Sequence, residues 1–142
     1  MRLALAEAEA AALAGEVPVG AVVMRGAELL AIGRNRMRDG SDPTAHAEMV
    51  ALREAAAKLA TSRLDGCDLW VTLEPCAMCA GAIALARISR LYFAASDPKG
   101  GGVLHGPRLF AQPTCHHAPE VYPGIGESEA GEMLRGFFRE RR

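Results

Sequence analysis

The first part of the chain changes from a helical to a strand-like pattern of apolar residues. Over residues 3–14 the apolar positions recur at intervals of three and four, which predicts a helix with one buried face. Gly15 stands where such a helix would end. The apolar runs 19–24 and 29–32 then predict two strands, and the Arg-Gly-Ala stretch at 25–27 predicts the turn of a hairpin between them.

The middle of the chain alternates between loop-forming and apolar segments. Residues 38–43 have the composition of a loop. A stripe of apolar positions over 45–59 follows and predicts a second helix, with Thr44 as its cap. A short strand at 69–73 and a third helix over 75–87, opened by a proline, come next.

The last part of the chain is less regular until its final helix. A strand is predicted at 91–94, a helical stretch near 108–112, a short strand around Val121 and a helix over 127–142. Helices and strands thus alternate along the whole chain. This order predicts a single α/β domain over residues 1–142, built as a three-layer α/β/α sandwich with a mixed sheet of about five strands.

Composition limits the class of protein without indicating an activity. The chain has 142 residues, of which 50% are hydrophobic and 23% charged, as in ordinary globular domains. No apolar run approaches the roughly 20 residues that span a membrane. Glu7 and Glu9 interrupt the first apolar stretch in a way that a secretory signal would not. We therefore expect a cytoplasmic protein with no membrane partner.

The overall charge does not indicate a nucleic-acid-binding protein, because the formal net charge is −1. Arginine is nevertheless concentrated in two clusters, and its side chain is suited to phosphate contacts. Spacing alone favours two solvated faces over a binding site. The clusters are Arg34, Arg36 and Arg38, and Arg135, Arg139, Arg141 and Arg142.

Three short segments contain the residue types of a catalytic metal site. His46, Cys76 and Cys79 can supply one nitrogen and two thiolates, and Glu48 can supply an acid or base. Structural zinc sites use four protein ligands, whereas catalytic sites use three and keep the fourth position for water. The combination of His-x-Glu with Pro-Cys-x-x-Cys is the known signature of zinc deaminases. It predicts hydrolytic chemistry in which a zinc-activated water attacks and Glu48 shuttles the proton.

Other interpretations of the cysteines and histidines remain open at this point. A Cys-x-x-Cys pair can be a redox site, although that interpretation requires a thioredoxin-like context and no metal histidine nearby. A closed structural zinc site would need a fourth ligand. The cluster Cys115-His116-His117 could also form a second metal site, but ordinary packing and hydrogen bonding are favoured there. The candidate fourth ligands are Cys67, His105, Cys115, His116 and His117.

Longer strings around these residues resemble one family closely. They are VPVGAV at 17–22, DPTAHAE at 42–48 and TLEPCAMCAGA at 72–82. The chain is similar to the bacterial tRNA-specific adenosine deaminases of the cytidine-deaminase-like superfamily over nearly its whole length. The resemblance implies a hydrolase that converts adenosine to inosine at the wobble position of a tRNA anticodon. It also implies a homodimer that binds a tRNA anticodon stem-loop.

The resemblance also implies roles for individual residues. His46, Cys76 and Cys79 would bind one Zn²⁺ per subunit, with Glu48 as the proton shuttle. Five further positions match substrate-binding residues of the family. Asn35 would contact the base, and its amide has both a donor and an acceptor for a purine edge; it could equally cap the loop after its strand. Asp97 and Lys99 would meet the anticodon backbone and ribose, and Phe138 and Arg139 would line the RNA groove.

Two other functions compete with tRNA deamination. A free-base or nucleoside deaminase, for example one acting on guanine, would use the same zinc chemistry without needing a basic groove. A non-catalytic binding module stabilised by zinc would leave Glu48 without a role. Residues 100–126 depart from the family pattern, so the RNA contacts of that segment do not follow from the resemblance.

Overall fold

The computed structural model describes residues 1–142. The chain forms one five-stranded sheet between two layers of helices. The sheet order is β2-β1-β3-β4-β5. The elements are α1 (Arg2–Leu13), β1 (Gly20–Arg25), β2 (Glu28–Arg34), α2 (Ala47–Leu59), β3 (Asp68–Leu73), α3 (Ala77–Leu85), β4 (Arg90–Ala95), a 3₁₀ turn (Leu109–Ala111), β5 (Glu120–Pro123) and α4 (Glu127–Glu140).

The sheet is mixed, and the helices cover both of its faces. β1 is antiparallel to β2 and β3, whereas β3, β4 and β5 are parallel to one another. α1 and α4 pack on one face, and α2 and α3 lie on the other. The predicted three-layer α/β/α architecture is therefore confirmed. None of the helices combines the length and the apolar character of a membrane-spanning helix.

The main core lies between the sheet and the layer of α2 and α3. Its largest fully buried side chains come from β3, β4, α3 and the segment that follows α3, among them Leu69, Phe93, Ile83 and Ile88. α2 approaches β2 closely at Gly33, where a side chain would overlap the backbone of Ala47 and Ala51. This close approach fixes the N-terminal end of α2, where the candidate site lies.

The predicted starts of α2 and α3 were wrong, and in both cases the residue that caps the helix is a candidate metal ligand. Thr44 does not cap α2, because its hydroxyl donates to Oδ1 of Asp42 at 2.7 Å. The helix begins at Ala47, and His46 is its N-cap in an extended conformation. The third helix begins at Ala77 with Cys76 as the N-cap, two residues later than predicted.

The ends of the later elements also differ from the prediction. α3 stops at Leu85, because Arg87 adopts a left-handed conformation with φ of 63°. α4 stops at Glu140. The helical stretch predicted near 108–112 is one 3₁₀ turn, and the strand predicted around Val121 is confirmed as β5.

Candidate active site

The structure brings His46, Cys76 and Cys79 together at the N-termini of α2 and α3. His46 Nδ1 lies 3.6 Å from Cys76 Sγ and 3.5 Å from Cys79 Sγ, and all three donor atoms lie within 4.8 Å of one another. Zinc bonds of about 2.3 Å to sulfur and 2.0–2.1 Å to nitrogen at tetrahedral angles place such atoms roughly 3.6 Å apart. The donor set and its spacing thus fit a tetrahedral metal ion.

The two thiols differ in their readiness to ionise. The pKa of Cys76 is lowered to about 4, because the Cys79 thiol and His46 both hydrogen-bond to its sulfur. The pKa of Cys79 is raised by its hydrogen bond to Cys76 and by burial. The hydrogen bond to Cys76 raises the pKa of His46. Near neutral pH, Cys76 is therefore the thiolate of the pair before any cation binds, and Cys79 keeps its proton. Binding a cation would release that proton.

Glu48 lies beside these donors in the first turn of α2 and is only 4% exposed. Burial raises the pKa of its carboxyl to about 7, so the group can both take up and release a proton near neutral pH. Residues two apart on a helix point in different directions. His46 and Glu48 can nevertheless serve one site, because His46 precedes α2 as its N-cap and does not follow the helical spacing. Both side chains therefore lie at the N-terminal end of the helix.

A cavity of about 270 Å³ is lined by two of the donor residues, His46 and Cys76, and is called the metal-site cavity here. Its wall includes Asn35, the first residue after β2. Oδ1 of Asn35 accepts the backbone N–H of Ala47 at 2.9 Å, and Nδ2 makes no hydrogen bond within the chain. The lining residues are Val17, Val19, Asn35, Met37, His46, Glu48, Leu73, Glu74, Cys76, Asp97 and Gly100.

A larger groove of about 1010 Å³ adjoins this cavity. Its lining contains five cationic side chains and one carboxylate, so we call it the basic groove. It shares Val17, Leu73, Asp97 and Gly100 with the metal-site cavity, which makes the two continuous. The lining residues are Val17, Leu73, Asp97, Lys99, Gly100, Leu134, Arg135, Phe138, Arg139, Arg141 and Arg142.

The four outer residues assigned from the resemblance all lie in the basic groove. Phe138 is 48% exposed and contacts Phe137 edge-on, whereas Phe137 itself is only 8% exposed. Arg139 is exposed on the same helix end. Asp97 Oδ1 accepts the N–H groups of Lys99 and Gly100 at 3.1 and 2.9 Å, which leaves Oδ2 without a partner in the chain.

Sequence reasoning missed two buried glutamates that organise the loops around the site. The side chain of Glu74 is fully buried and accepts five hydrogen bonds from residues 97–105. Burial raises its pKa, but the hydrogen bonds from His105 and the loop amides outweigh this effect and hold the pKa below its usual value. Glu16 accepts the N–H groups of Arg38 and Asp39. The only available signal was the position of Glu74 immediately before Pro75-Cys76.

The cluster Cys115-His116-His117 does not join the metal donors. Cys115 Sγ donates to the carbonyl of His117 at 3.1 Å, and His117 Nε2 donates to the carbonyl of Ile88 at 2.7 Å. Only His46, Cys76 and Cys79 form a group that could hold a metal ion. Ordinary hydrogen bonding is thus the role that the contacts of Cys115 and His117 support, and no fourth protein ligand accompanies the three donors.

The fold and the donor set together define the cytidine-deaminase-like class of hydrolytic deaminases. The family model of MafB19-like deaminases matches residues 1–142. The chain is also 56% identical, over all of its 142 residues and 93% of the relative, to the tRNA-specific adenosine deaminase of Agrobacterium fabrum. The chain belongs to the MafB19-like deaminase family and, within it, to the tRNA-specific adenosine deaminases.

Two solved structures extend this comparison. One comes from studies of A-to-I editing by tRNA:A34 deaminases at the wobble position of transfer RNA. It is 55% identical, with a TM-score of 0.93 over 94% of this chain and 97% of that one. The other is guanine deaminase from Nitrosomonas europaea, which is 28% identical, with a TM-score of 0.81 over 94% of this chain and 80% of that one. The second similarity shows that a related fold also serves a free base.

Proposed function

We propose that this chain hydrolytically deaminates adenosine to inosine at the wobble position of a tRNA anticodon. The observation that carries the proposal is the continuity between the metal-site cavity and the basic groove. The cavity has room for one base, and the groove has the positive charge to bind a nucleic-acid backbone. An anticodon loop offers unstacked bases that can be turned outward into such a cavity.

His46, Cys76 and Cys79 are proposed to hold one Zn²⁺ per chain, since two thiolates and an imidazole are ligands that zinc prefers. When bound, the ion would supply Lewis-acid activation of water. Glu48 would then accept a proton from the attacking water and deliver it to the base, so that water adds at the amino-bearing carbon and ammonia leaves. The burial of Glu48 beside the donors supports this assignment.

Asn35 is proposed to orient the base in the metal-site cavity. Its Oδ1 is occupied by the N–H of Ala47, so Nδ2 is the group that can donate to an acceptor nitrogen of a purine. The apolar side chains of Val17, Val19 and Leu73 form part of the cavity wall and can contact the faces of the base. This pairing of one donor with an apolar wall supports recognition of a single flipped purine.

The basic groove is proposed to hold the anticodon loop. Lys99, Arg135 and Arg139 make no ion pair within the chain, so their charges are available to phosphates. The exposed ring of Phe138 can stack on a neighbouring base. The free Oδ2 of Asp97 can accept a ribose hydroxyl, which would distinguish RNA from DNA.

We further propose that the chain acts as a homodimer in the cytoplasm, where tRNA substrates are available. α3 exposes the apolar side chains of Met78 and Leu85, at 37% and 80%, and Leu104 in the loop after β4 is 41% exposed. Neighbouring exposed apolar residues are typical of surfaces that bind another chain. A second copy packed on this surface would bury them.

Two other functions are less well supported. A guanine deaminase would use the metal-site cavity but would not need the five cationic side chains of the basic groove, although the similarity to the Nitrosomonas europaea enzyme keeps this substrate worth testing. A binding module without turnover would gain nothing from a buried glutamate beside three metal donors. Glu48 therefore favours an enzyme.

The decisive experiment offers the purified protein a transcribed anticodon stem-loop with adenosine at the wobble position, and separately free adenosine, cytidine and guanine. Inosine formed only in the stem-loop is the expected result. A stem-loop with guanosine at the same position and the Glu48→Ala variant are the matched controls. Deamination of guanine with no reaction on RNA would replace the proposed substrate, and no deamination of any compound by the metal-loaded protein would refute the enzymatic proposal.

A further inference from the structure

One carboxylate is bound by both ends of the loop that forms a wall of the cleft. Glu74 follows β3 directly, and its own backbone N–H donates to the carbonyl of Ala95 at 2.8 Å. Its Oε1 accepts the N–H of Asp97 at 3.1 Å and Nδ1–H of His105 at 2.8 Å. The side chain is fully buried, and both carboxylate oxygens are occupied by donors of the loop, so its hydrogen bonds are shielded from water.

The second carboxylate oxygen binds the far end of the same loop. Oε2 of Glu74 accepts three consecutive backbone N–H groups, those of Val103, Leu104 and His105, at 3.2, 3.0 and 3.1 Å. Three successive amides that converge on one oxygen form an anion-binding nest, here filled by a side chain of the chain itself. The loop at 97–105 is therefore wrapped around Glu74.

We infer that Glu74 is a positioning residue that fixes the 97–105 loop and thereby places Asp97 and Lys99 against the basic groove. The inference deepens the proposed function and rests on it for the identity of the RNA ligand. The backbone N–H of Asp97 donates to Glu74, and the side chain of Asp97 accepts the N–H groups of Lys99 and Gly100. These bonds form a turn that places Lys99. Displacing the carboxylate would release both ends of this segment at once.

The packing around the loop leaves space for this carboxylate and for little else. Gly101 is buried, and a side chain there would overlap Oε2 of Glu74 and the carbonyl of Asp97. The N–H of Gly102 donates to the carbonyl of Pro75 at 2.8 Å, which joins the loop to the chain entering α3. A glycine pair at 101–102 is thus what allows the backbone to close over Glu74.

The charge of Glu74 matters as much as its shape. All five of its partners donate hydrogen, and a carboxylate can only accept. Glutamine has almost the same size but would turn an NH₂ group towards one set of these donors. Glu74→Gln therefore removes the hydrogen bonds accepted by one of the two carboxylate oxygens with little change in volume, and the donors left behind would lack an acceptor.

The test compares Glu74→Gln with the wild-type protein and with Glu54→Gln, an exposed glutamate on α2. Hydrogen exchange is followed at all four backbone amides that donate to Glu74, those of Asp97, Val103, Leu104 and His105. The amides that face the NH₂ group of the glutamine are expected to exchange at least about 10-fold faster than in the wild-type protein. None of the four is expected to change in Glu54→Gln, and both variants are expected to retain one metal ion per chain. This readout does not require activity, so it tests Glu74 even if the proposed RNA substrate is wrong.

Kinetics on the anticodon stem-loop separate positioning from a purely structural role. Glu74→Gln is expected to raise KM for the stem-loop about 10-fold or more and to change kcat at saturating RNA by less than 3-fold. His105→Phe, which removes one of the five hydrogen bonds, is expected to give a smaller rise in KM. Unchanged exchange at all four amides would overturn the inference. Loss of metal with unchanged KM would also overturn it, since Glu74 would then act through Cys76.

Discussion

Oδ1 of Asn35 accepts the backbone N–H of Ala47 at 2.9 Å, so the residue that follows β2 also holds the first residue of α2. His46 and Glu48 are the neighbours of Ala47 on either side. Because an N–H group can only donate, this bond fixes which end of the amide faces the backbone. The NH₂ end of Asn35 is thereby directed away from α2, and the residue combines a structural bond with a free donor at the metal-site cavity.

Asn35→Asp should separate these two roles. Aspartate can still accept the N–H of Ala47, but it has no donor for a base. We expect the variant to fold and to bind metal while kcat/KM falls by about 10- to 100-fold, which corresponds to roughly 1–3 kcal/mol for an unpaired polar group. Asn35→Ala removes the bond to Ala47 as well and should also lower Tm. Full activity of Asn35→Asp would exclude donation by Asn35 to the base.

Glu48→Ala should remove turnover without removing the metal. The three donors come from other residues, whereas proton transfer by a placed carboxylate typically contributes about 10²- to 10⁴-fold to the rate. We expect the variant to keep one equivalent of metal by elemental analysis and to lose at least about 100-fold of its inosine formation. Glu54→Ala, on the exposed side of the same helix, is the control. A variant that retained its rate would remove Glu48 from the mechanism.

The elements of the fold were largely predictable because each follows from a local pattern. Apolar residues at helical spacing give α1 and α2, and short apolar runs between loop residues give β1 and β3. The order of strands in the sheet was not predictable in the same way. β1 lies between β2 and β3, and no local pattern states which distant strand a segment will pair with.

The helix starts at the site show where local reasoning fails. Thr44 is a good cap by residue type, but Asp42 captures its hydroxyl, and the helix starts only after His46. The metal donors were found because their spacing forms a known signature. The role of Glu74 could not be found, because four of its five hydrogen bonds come from backbone amides 23 to 31 residues away and backbone amides are present in every sequence. Signatures identify chemistry, but the loops that present a substrate are organised by such distant contacts.

Arg135 and Arg139 should contribute to RNA binding through charge alone. Both line the basic groove without ion pairs in the chain, whereas Arg141 stacks on Phe137 at 3.5 Å and is better left intact. Replacing Arg135 and Arg139 by alanine should weaken stem-loop binding and reduce the slope of log K against log salt by about 1.4 for two lost contacts to single-stranded RNA.

The salt titration of the double variant of Arg135 and Arg139 needs a matched control, and one outcome would contradict the prediction. Arg2→Ala removes an exposed arginine near Asp68 and Trp70, away from the residues that line the basic groove, and should leave affinity and slope unchanged. Weaker binding of the double variant with an unaltered slope would mean that the two arginines shape α4 without meeting phosphates. The contact between α4 and RNA would then have to be assigned to other residues.

Asp68 offers a test of stability that is independent of the active site. It begins β3, and its Oδ1 is buried without a hydrogen-bond partner, 3.9 Å from the guanidinium of Arg90. Burial raises the pKa of Asp68, and Arg90 offsets this only in part. The folded state therefore holds a proton on this group more readily than the unfolded chain does. It follows that ionised Asp68 lowers the free energy of unfolding above the folded pKa and has no such effect below the unfolded pKa.

Asp68→Asn should therefore raise Tm at pH 7, by about 1–3 °C for a domain of this size. The difference from the wild-type protein should shrink as the pH falls towards the unfolded pKa of about 3.9. Thermal unfolding from pH 7 down to pH 4.5 would measure both effects. Asp65→Asn is the control, because the hydrogen bond from Arg63 lowers the pKa of Asp65 and its substitution should bring no gain. A lower Tm for Asp68→Asn at pH 7 would show instead that the ion pair with Arg90 outweighs the cost of burying the carboxylate.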